Sequence, residues 1–299
     1  MSTAEAIRAA PSPRLGQGRP AWWNDFTALT AAGVALGVAL LGPRLLPDTD
    51  PLGVDPYSLR LGAVSVALLV AAVAIVRLRP AIPVLVAVAV VVLPFVLWSV
   101  MPWLLGRVSG DALGYRATVL VQDAAYALAT LVVVAAAAGL AGASWWRWPR
   151  LGASWRALGV AVLTVLLMVL VFLAIPATLL GRIAVPLATL ARDLPLLGPA
   201  YVLQAVAQEL AFRGALLRTL ERTAPPWLAN LGQAMLFGLA HIAVQYEGPT
   251  DSIVPVTVAL GFALGWVTQK TGSLWPAIVA HAVLEVGQAY GVLPGLYGM

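Results

Sequence analysis

Five ionisable side chains near the carboxyl end of this 299-residue chain lie in segments that are otherwise apolar. Glu209 and Arg213 share one such segment, and His241 lies in the next. His281 and Glu285 share the last one, and the chain has only these two histidines. Ionisable groups are expensive to bury in an apolar environment, so their presence there usually marks a functional site. Imidazoles and carboxylates together are the usual means of activating water, directly or through a divalent metal.

Two of the carboxylates lie one helical turn from a basic side chain. On a helix, Glu209 and Arg213 share one face and can form an ion pair. His281 and Glu285 share a face in the same way, so the carboxylate can orient the imidazole and fix its tautomer. Each motif taken alone also fits a buried polar contact that only fixes helix packing. His241 taken alone fits a hydrogen-bonded packing residue better than a catalytic one.

Composition predicts the elements that position these residues. The chain is 61% hydrophobic and 10% charged, with a mean hydropathy of +0.90. Soluble domains carry about 25% charged residues, so this composition predicts a polytopic membrane protein. Its long runs of Ala, Leu and Val are typical of helices rather than barrel strands. We therefore expect an all-α fold, a transmembrane helical bundle of about eight or nine spans with a polar intramembrane cavity.

Hydrophobic runs predict about nine candidate spans. They cover residues 26–46, 59–76, 81–101, 118–142, 157–180, 197–220, 227–245, 253–269 and 274–290. The stretch 183–197 predicts a separate amphipathic segment at the membrane interface before the sixth span.

The chain is predicted to form a single membrane domain with three parts. Residues 1–25 are predicted to be a cytoplasmic tail, 26–195 a set of structural and almost purely apolar helices, and 196–299 the motif-bearing helices. The distribution of Arg and Asp among the loops favours an N-terminus in the cytoplasm. The expected location is the plasma membrane. The net charge of +5 is explained by this topology, since no basic run with interleaved aromatics indicates nucleic-acid binding.

The depths of the motif residues in their helices predict that they meet. At about 1.5 Å of rise per residue, Glu209, His241 and His281 lie at overlapping depths. Three separate helices can therefore present all five ionisable side chains to one cavity. That arrangement suits hydrolysis of a peptide bond within or next to the bilayer.

The sequences around these residues resemble the three motifs of the CPBP family, the CAAX prenyl endopeptidase and bacteriocin-processing (abortive-infection) membrane proteases. The matching stretches are Gln-Glu-Leu-Ala-Phe-Arg-Gly, Phe-Gly-Leu-Ala-His and Gly-Ser-Leu-Trp-Pro-Ala-Ile-Val-Ala-His. The resemblance covers about residues 197–288. It implies an intramembrane helical bundle with a conical cavity, in which the first of two adjacent glutamates and the two histidines activate water for peptide cleavage.

The chain departs from the family pattern at two positions. Gln208 replaces the first glutamate, and a neutral amide cannot take a proton from water. Glu285 stands where the family commonly has asparagine. Three explanations stay open: Glu285 or Glu209 serves as the base, the fold binds or shields a partner without catalysis, or Glu285 and His281 form an acid–base pair for cyclisation or isomerisation of a lipophilic molecule.

The leading hypothesis is a CPBP-type intramembrane hydrolase, and a transporter with a proton relay is the third choice. The candidate catalytic residues are Gln208, Glu209, Arg213, His241, His281 and Glu285. Arg213 would hold Glu209 in place, and Gln208 would bond to the scissile carbonyl or the water. For the cofactor, either a divalent metal such as zinc on His241 and His281 or no metal is expected. The expected partners are membrane lipid and a hydrophobic or lipidated peptide or other lipophilic substrate.

Overall fold

All regular structure in the described part of the chain is helical, so the all-α prediction is confirmed. The computed structural model describes residues 56–75, 82–109, 115–141, 155–174, 187–222, 224–241 and 250–291. The predicted tail 1–25 and first span 26–46 lie outside the described residues. No helix in the described ranges is both long and apolar enough to cross a membrane.

The helices follow the candidate spans from 59–76 onward. The front half of the chain forms α1 (Pro56–Ala74), α2 (Ile82–Ser109), α3 (Tyr115–Ala141) and α4 (Trp155–Ala174). The back half forms α5 (Leu187–Glu209), a π-helical segment (Leu210–Leu217), α6 (Arg218–Leu220), α7 (Pro226–Ala240), α8 (Thr250–Thr271) and α9 (Trp275–Gly291).

Local sequence signals explain several helix ends. Pro226 is the first residue of α7, where its missing N–H costs nothing and its fixed φ suits a helix. Gly272 follows α8 with a φ of 65°, the left-handed conformation that closes helices and that glycine adopts without strain. Ser273 then accepts a hydrogen bond on its Oγ from the backbone N–H of Trp275, 3.3 Å away, at the start of α9.

The stretch 183–197, predicted as an interfacial segment before the sixth span, is continuous with that span over its described residues, 187–197. Helix α5 is continuous from Leu187 and runs through Pro195 and Pro199. It packs along α3 and α9. These tertiary contacts outweigh the weak local helix preference that the two prolines give the segment.

The π-helical segment Leu210–Leu217 lies at the centre of the fold. Every one of its residues is buried, and it contacts α2, α3, α5, α7 and α8. Segments of π-helix are rare and frequently occur at functional sites. This one begins at the residue after Glu209 and contains Arg213.

Helices α7 and α8 approach each other closely at a glycine. A Cβ added to Gly238 would overlap the side chain of Val258 and lie 3.0 Å from the carbonyl oxygen of Val254. A glycine at position 238 is thus required for this close approach of the two helices.

We expect Gly238→Ala to lower the free energy of unfolding by about 1–3 kcal/mol, because the added methyl overpacks this contact. Gly159→Ala in α4 is the matched control, since a Cβ at Gly159 would meet nothing within 4 Å. The control should be neutral or stabilising by up to about 1 kcal/mol. Thermal unfolding in detergent, followed by circular dichroism, measures both. Equal shifts in the two variants would contradict the assigned contact.

Candidate active site

The predicted Glu209–Arg213 ion pair is present and completely buried. Arg213 Nη1 donates to Glu209 Oε1 at 2.8 Å, and both side chains are 0% exposed. Arg213 Nη2 donates to the carbonyl oxygen of Gly261 on α8 at 3.1 Å. The guanidinium also lies 4.6 Å from the ring centroid of Phe237. These contacts fix the charged groups between α5, α7 and α8, so Arg213 holds Glu209 in place.

His281 lies between two carboxylates that come from different segments. Its Nδ1 is 2.7 Å from Glu209 Oε1, and its Nε2 is 3.2 Å from Glu285 Oε1. Two ionised carboxylates need two N–H donors, so this geometry favours a doubly protonated imidazolium. The contacts link Glu285, His281, Glu209 and Arg213 into one continuous chain. The last motif therefore joins the first directly.

His241 is the residue after α7, and its proton position follows from one contact. Its Nδ1 is 2.6 Å from the carbonyl oxygen of Phe237. A carbonyl can only accept, so Nδ1 carries the proton and Nε2 keeps a lone pair. The His241 ring lies 4.7 Å from the Phe237 ring, which in turn lies 5.6 Å from the His281 ring. The ring of Phe237 therefore contacts both histidines.

Two buried oxygens at the start of the first motif lack a hydrogen-bond partner among the described residues. They are Gln208 Oε1 and Glu209 Oε2, and both side chains are at most 1% exposed. Buried polar atoms are usually paired, and each exception needs a reason. At a reaction site, such unpaired oxygens can accept a hydrogen bond from a water molecule or from a substrate N–H.

Sequence analysis missed two buried amides on α7. Gln233 Nε2 donates to Gly261 O and to Asn230 Oδ1, each at 2.8 Å. Asn230 Nδ2 donates to Phe262 O at 3.0 Å. Gln233 and Arg213 therefore share one carbonyl acceptor on α8, which ties α7 to the ion pair. The signal in the sequence was a pair of amide side chains, Asn230 and Gln233, three residues apart in an apolar segment.

Sequence analysis also missed a polar cluster in the front half. Trp98 Nε1 on α2 donates to Asp123 Oδ1 on α3 at 3.0 Å, and Gln122 Nε2 donates to Trp98 O at 2.9 Å. Asp123 is only 4% exposed and interacts electrostatically with Glu285. The front helices thus contain a buried polar cluster, and the adjacent Gln122 and Asp123 in an otherwise apolar helix were the signal in the sequence.

The residues present do not fit a metal held jointly by His241 and His281. Both ring nitrogens of His281 face carboxylate oxygens, which leaves no lone pair for a metal. Only Nε2 of His241 keeps one. Among the described residues, no group of three His, Asp or Glu side chains could hold a metal ion.

Residues 190–287 match the family model described as type II CAAX prenyl endopeptidase Rce1-like. This region contains every residue of the three motifs, so the resemblance to the CPBP family is confirmed over the last third of the chain. Neither the curated proteins nor the solved structures give a significant match to the chain.

Proposed function

We propose that this protein is an integral membrane hydrolase of the CPBP type that cleaves peptide bonds in membrane-embedded or lipidated peptides. The observation that carries the proposal is the placement of His281 between Glu209 and Glu285, within the region that matches the endopeptidase family. The family match supports a CAAX-protease-type hydrolase at a coarse level.

The general base in this proposal is His241. Its Nε2 lone pair takes a proton from water while the water oxygen attacks the scissile carbonyl carbon. The same nitrogen returns the proton to the leaving amine when the C–N bond breaks. Glu285 interacts electrostatically with His241, so its negative charge stabilises the imidazolium that forms. This role does not require a carboxylate at position 208.

The remaining motif residues position the reacting groups. The side-chain amide of Gln208 forms a hydrogen bond with the attacking water. It can therefore orient the water as the family's first glutamate would, but it cannot take up a proton. The imidazolium of His281 supplies positive charge to the site, and fixed positive charge near a developing oxyanion lowers the barrier. Glu209 is fully buried and bonded to both Arg213 and His281. Its role is therefore to hold His281 rather than to exchange protons.

We further propose that the protein is associated with the plasma membrane and that its N-terminus lies in the cytoplasm. Large apolar side chains are exposed along one face of α1 and one face of α4, at helical spacing. They include Val66, Val70 and Val73 on α1 and Leu163, Leu166 and Leu170 on α4, each 48–66% exposed. Lipid tails are the natural cover for such faces. The family match supports membrane association.

The second candidate is an acid–base enzyme that acts on a lipophilic small molecule. It is favoured by the combination of Gln208 with Glu285, because the site has lost the usual water-activating carboxylate and gained one beside His281. Glu285 is 13% exposed, whereas Glu209 is fully buried. Glu285 is thus the carboxylate that a small substrate could reach.

The test is cleavage of prenylated and unprenylated peptides by the full-length protein in nanodiscs, in water enriched in oxygen-18. We expect a cleaved product that carries one heavy oxygen in its new carboxyl group, detected by mass spectrometry. Gly159→Ala should cleave at the wild-type rate. A peptide that stays intact under all conditions would contradict the proposal. Conversion of the lipid part with an intact peptide bond would instead support the second candidate.

A further inference from the structure

Helix α7 carries two buried amide side chains that the mechanism above does not use. Asn230 is 1% exposed and Gln233 is 0% exposed. Gln233 Nε2 donates to Gly261 O and to Asn230 Oδ1, each at 2.8 Å, and Asn230 Nδ2 donates to Phe262 O at 3.0 Å. The two amides are therefore bonded to each other and to two consecutive backbone carbonyls of α8. Buried polar groups need such partners, so a shift of α7 along α8 would break several hydrogen bonds at once.

Two glycines on α8, one turn apart, form the groove that receives these side chains. A Cβ added to Gly265 would overlap Asn230 Oδ1 and lie 2.6 Å from Gln233 Nε2. A Cβ added to Gly261 would lie 3.1 Å from Cδ1 of the Phe237 ring. Small residues at this spacing allow two helices to approach closely. The fit of the two amides and the ring into this groove therefore defines the register of α7 on α8.

The face of α7 that enters this groove also carries the proposed base. Gln233, Phe237 and His241 follow one another at intervals of four residues, so they lie on one face of the helix. The Phe237 ring lies 4.6 Å from the guanidinium carbon of Arg213 and 5.6 Å from the His281 ring. His241 lies eight residues after Gln233, about 12 Å further along the helix axis. A shift of α7 along α8 would therefore displace the His241 ring relative to Arg213 and His281.

The buried ion pair is bound to the same carbonyl group of α8 as the amides. Arg213 Nη2 donates to Gly261 O at 3.1 Å, and Gln233 Nε2 donates to the same oxygen. Arg213 Nη1 donates to Glu209 Oε1, which also contacts His281 Nδ1 at 2.7 Å. One carbonyl thus connects the helix that carries the base with the ion pair and, through the ion pair, with the second histidine.

We propose that Asn230 and Gln233 are positioning residues, which hold α7 in one register on α8 and thereby hold the His241 ring beside Arg213 and His281. Each amide acts through the placement of the base and not through contact with the reacting atoms. The catalytic consequence rests on the proposed function, in which His241 is the base. The register itself does not depend on which reaction the site performs.

Nuclear magnetic resonance of the full-length protein in nanodiscs tests the register. The chain has two histidines and six phenylalanines, so selective labelling of both types isolates the nuclear Overhauser cross-peak between the rings of Phe237 and His281, which Phe237→Leu assigns by its loss. Gln233→Met keeps the side-chain length and removes both hydrogen bonds, so we expect it to abolish or strongly weaken this cross-peak. Thr268→Val is the matched control and should leave the cross-peak unchanged, because Thr268 is also fully buried but donates to Leu264 O within its own helix.

Peptide cleavage by the same samples supplies the second measurement. Gln233→Met should lower kcat by up to about 10²-fold, the cost of a reacting group misplaced by about 1 Å, and should change KM little. Asn230→Ala keeps the Gln233 bond to Gly261 O, so it should change the cross-peak and kcat in the same direction but by less. Thr268→Val should cleave at the wild-type rate.

Two results would overturn the inference. One is a wild-type protein without the cross-peak, which requires no variant and so does not depend on variant folding. The other is Gln233→Met with an unchanged cross-peak or, if the wild type cleaves, with an unchanged kcat; Asn230→Ala decides in its place if Gln233→Met does not fold. An inactive wild type whose cross-peak responds as expected would refute the proposed function and leave the register standing.

Discussion

Arg213→Met is expected to destabilise the protein by about 3–5 kcal/mol, the cost of leaving a buried charge without its partner. Glu209 and Arg213 are both completely buried. Removal of the guanidinium leaves Glu209 with His281 alone. It also removes the donor to Gly261 O that ties the π-helical segment to α8. Thermal and denaturant unfolding in detergent measure the loss.

Arg218→Met is the matched control for this prediction. Arg218 forms a similar helical pair with Glu221, but its side chain is 32% exposed. Exposed pairs are worth less than about 1 kcal/mol, so the control should change stability little. The double variant Glu209→Gln, Arg213→Met should recover part of the loss, because no uncompensated charge remains. Equal destabilisation by the two single arginine variants would contradict the assigned role.

His241→Ala is expected to lower kcat/KM for peptide cleavage by about 10²- to 10⁴-fold, the usual contribution of a positioned general base. The reason is that its Nε2 keeps a lone pair while Nδ1 is bonded to Phe237 O. Single-turnover cleavage assays on a lipidated peptide measure the loss. Circular dichroism of the same samples establishes that the fold is intact.

Phe237→Leu distinguishes the effect of losing the base, His241, from the effect of losing the aromatic ring beside it. This variant keeps the backbone carbonyl that fixes the His241 proton and removes only the ring between the two histidines. Its loss of activity should be clearly smaller than that of His241→Ala. If His241→Ala cleaves as fast as wild type, the base lies elsewhere, and Glu285 becomes the first alternative.

The sequence was sufficient to predict the helices and the meeting of the motifs. Residues four apart on a helix must share a face, so the Glu209–Arg213 and His281–Glu285 contacts follow from spacing alone. The depth estimate correctly brought Glu209 and His281 together. It could not show that one oxygen of Glu209 contacts both Arg213 and His281.

The contribution of the front half could not be predicted in the same way. Asp123 stands in an apolar helix, and its hydrogen-bond partner Trp98 is 25 residues away in sequence. Only the packing of α3 against α2 creates this contact. Composition also does not distinguish the π-helical segment Leu210–Leu217 from an ordinary α-helix, because its residue types are common in α-helices.

The central claim is that this site hydrolyses peptide bonds with a glutamine at position 208. The most direct measurement compares wild type, Gln208→Glu and His281→Ala on one lipidated peptide in nanodiscs, with product quantified by mass spectrometry. We expect wild type and Gln208→Glu to cleave and His281→Ala to lose about 10²- to 10³-fold, the typical effect of removing one electrostatic stabiliser. Wild-type protein that is inert where Gln208→Glu cleaves would contradict the claim, because the natural site would then be a protease fold without proteolysis.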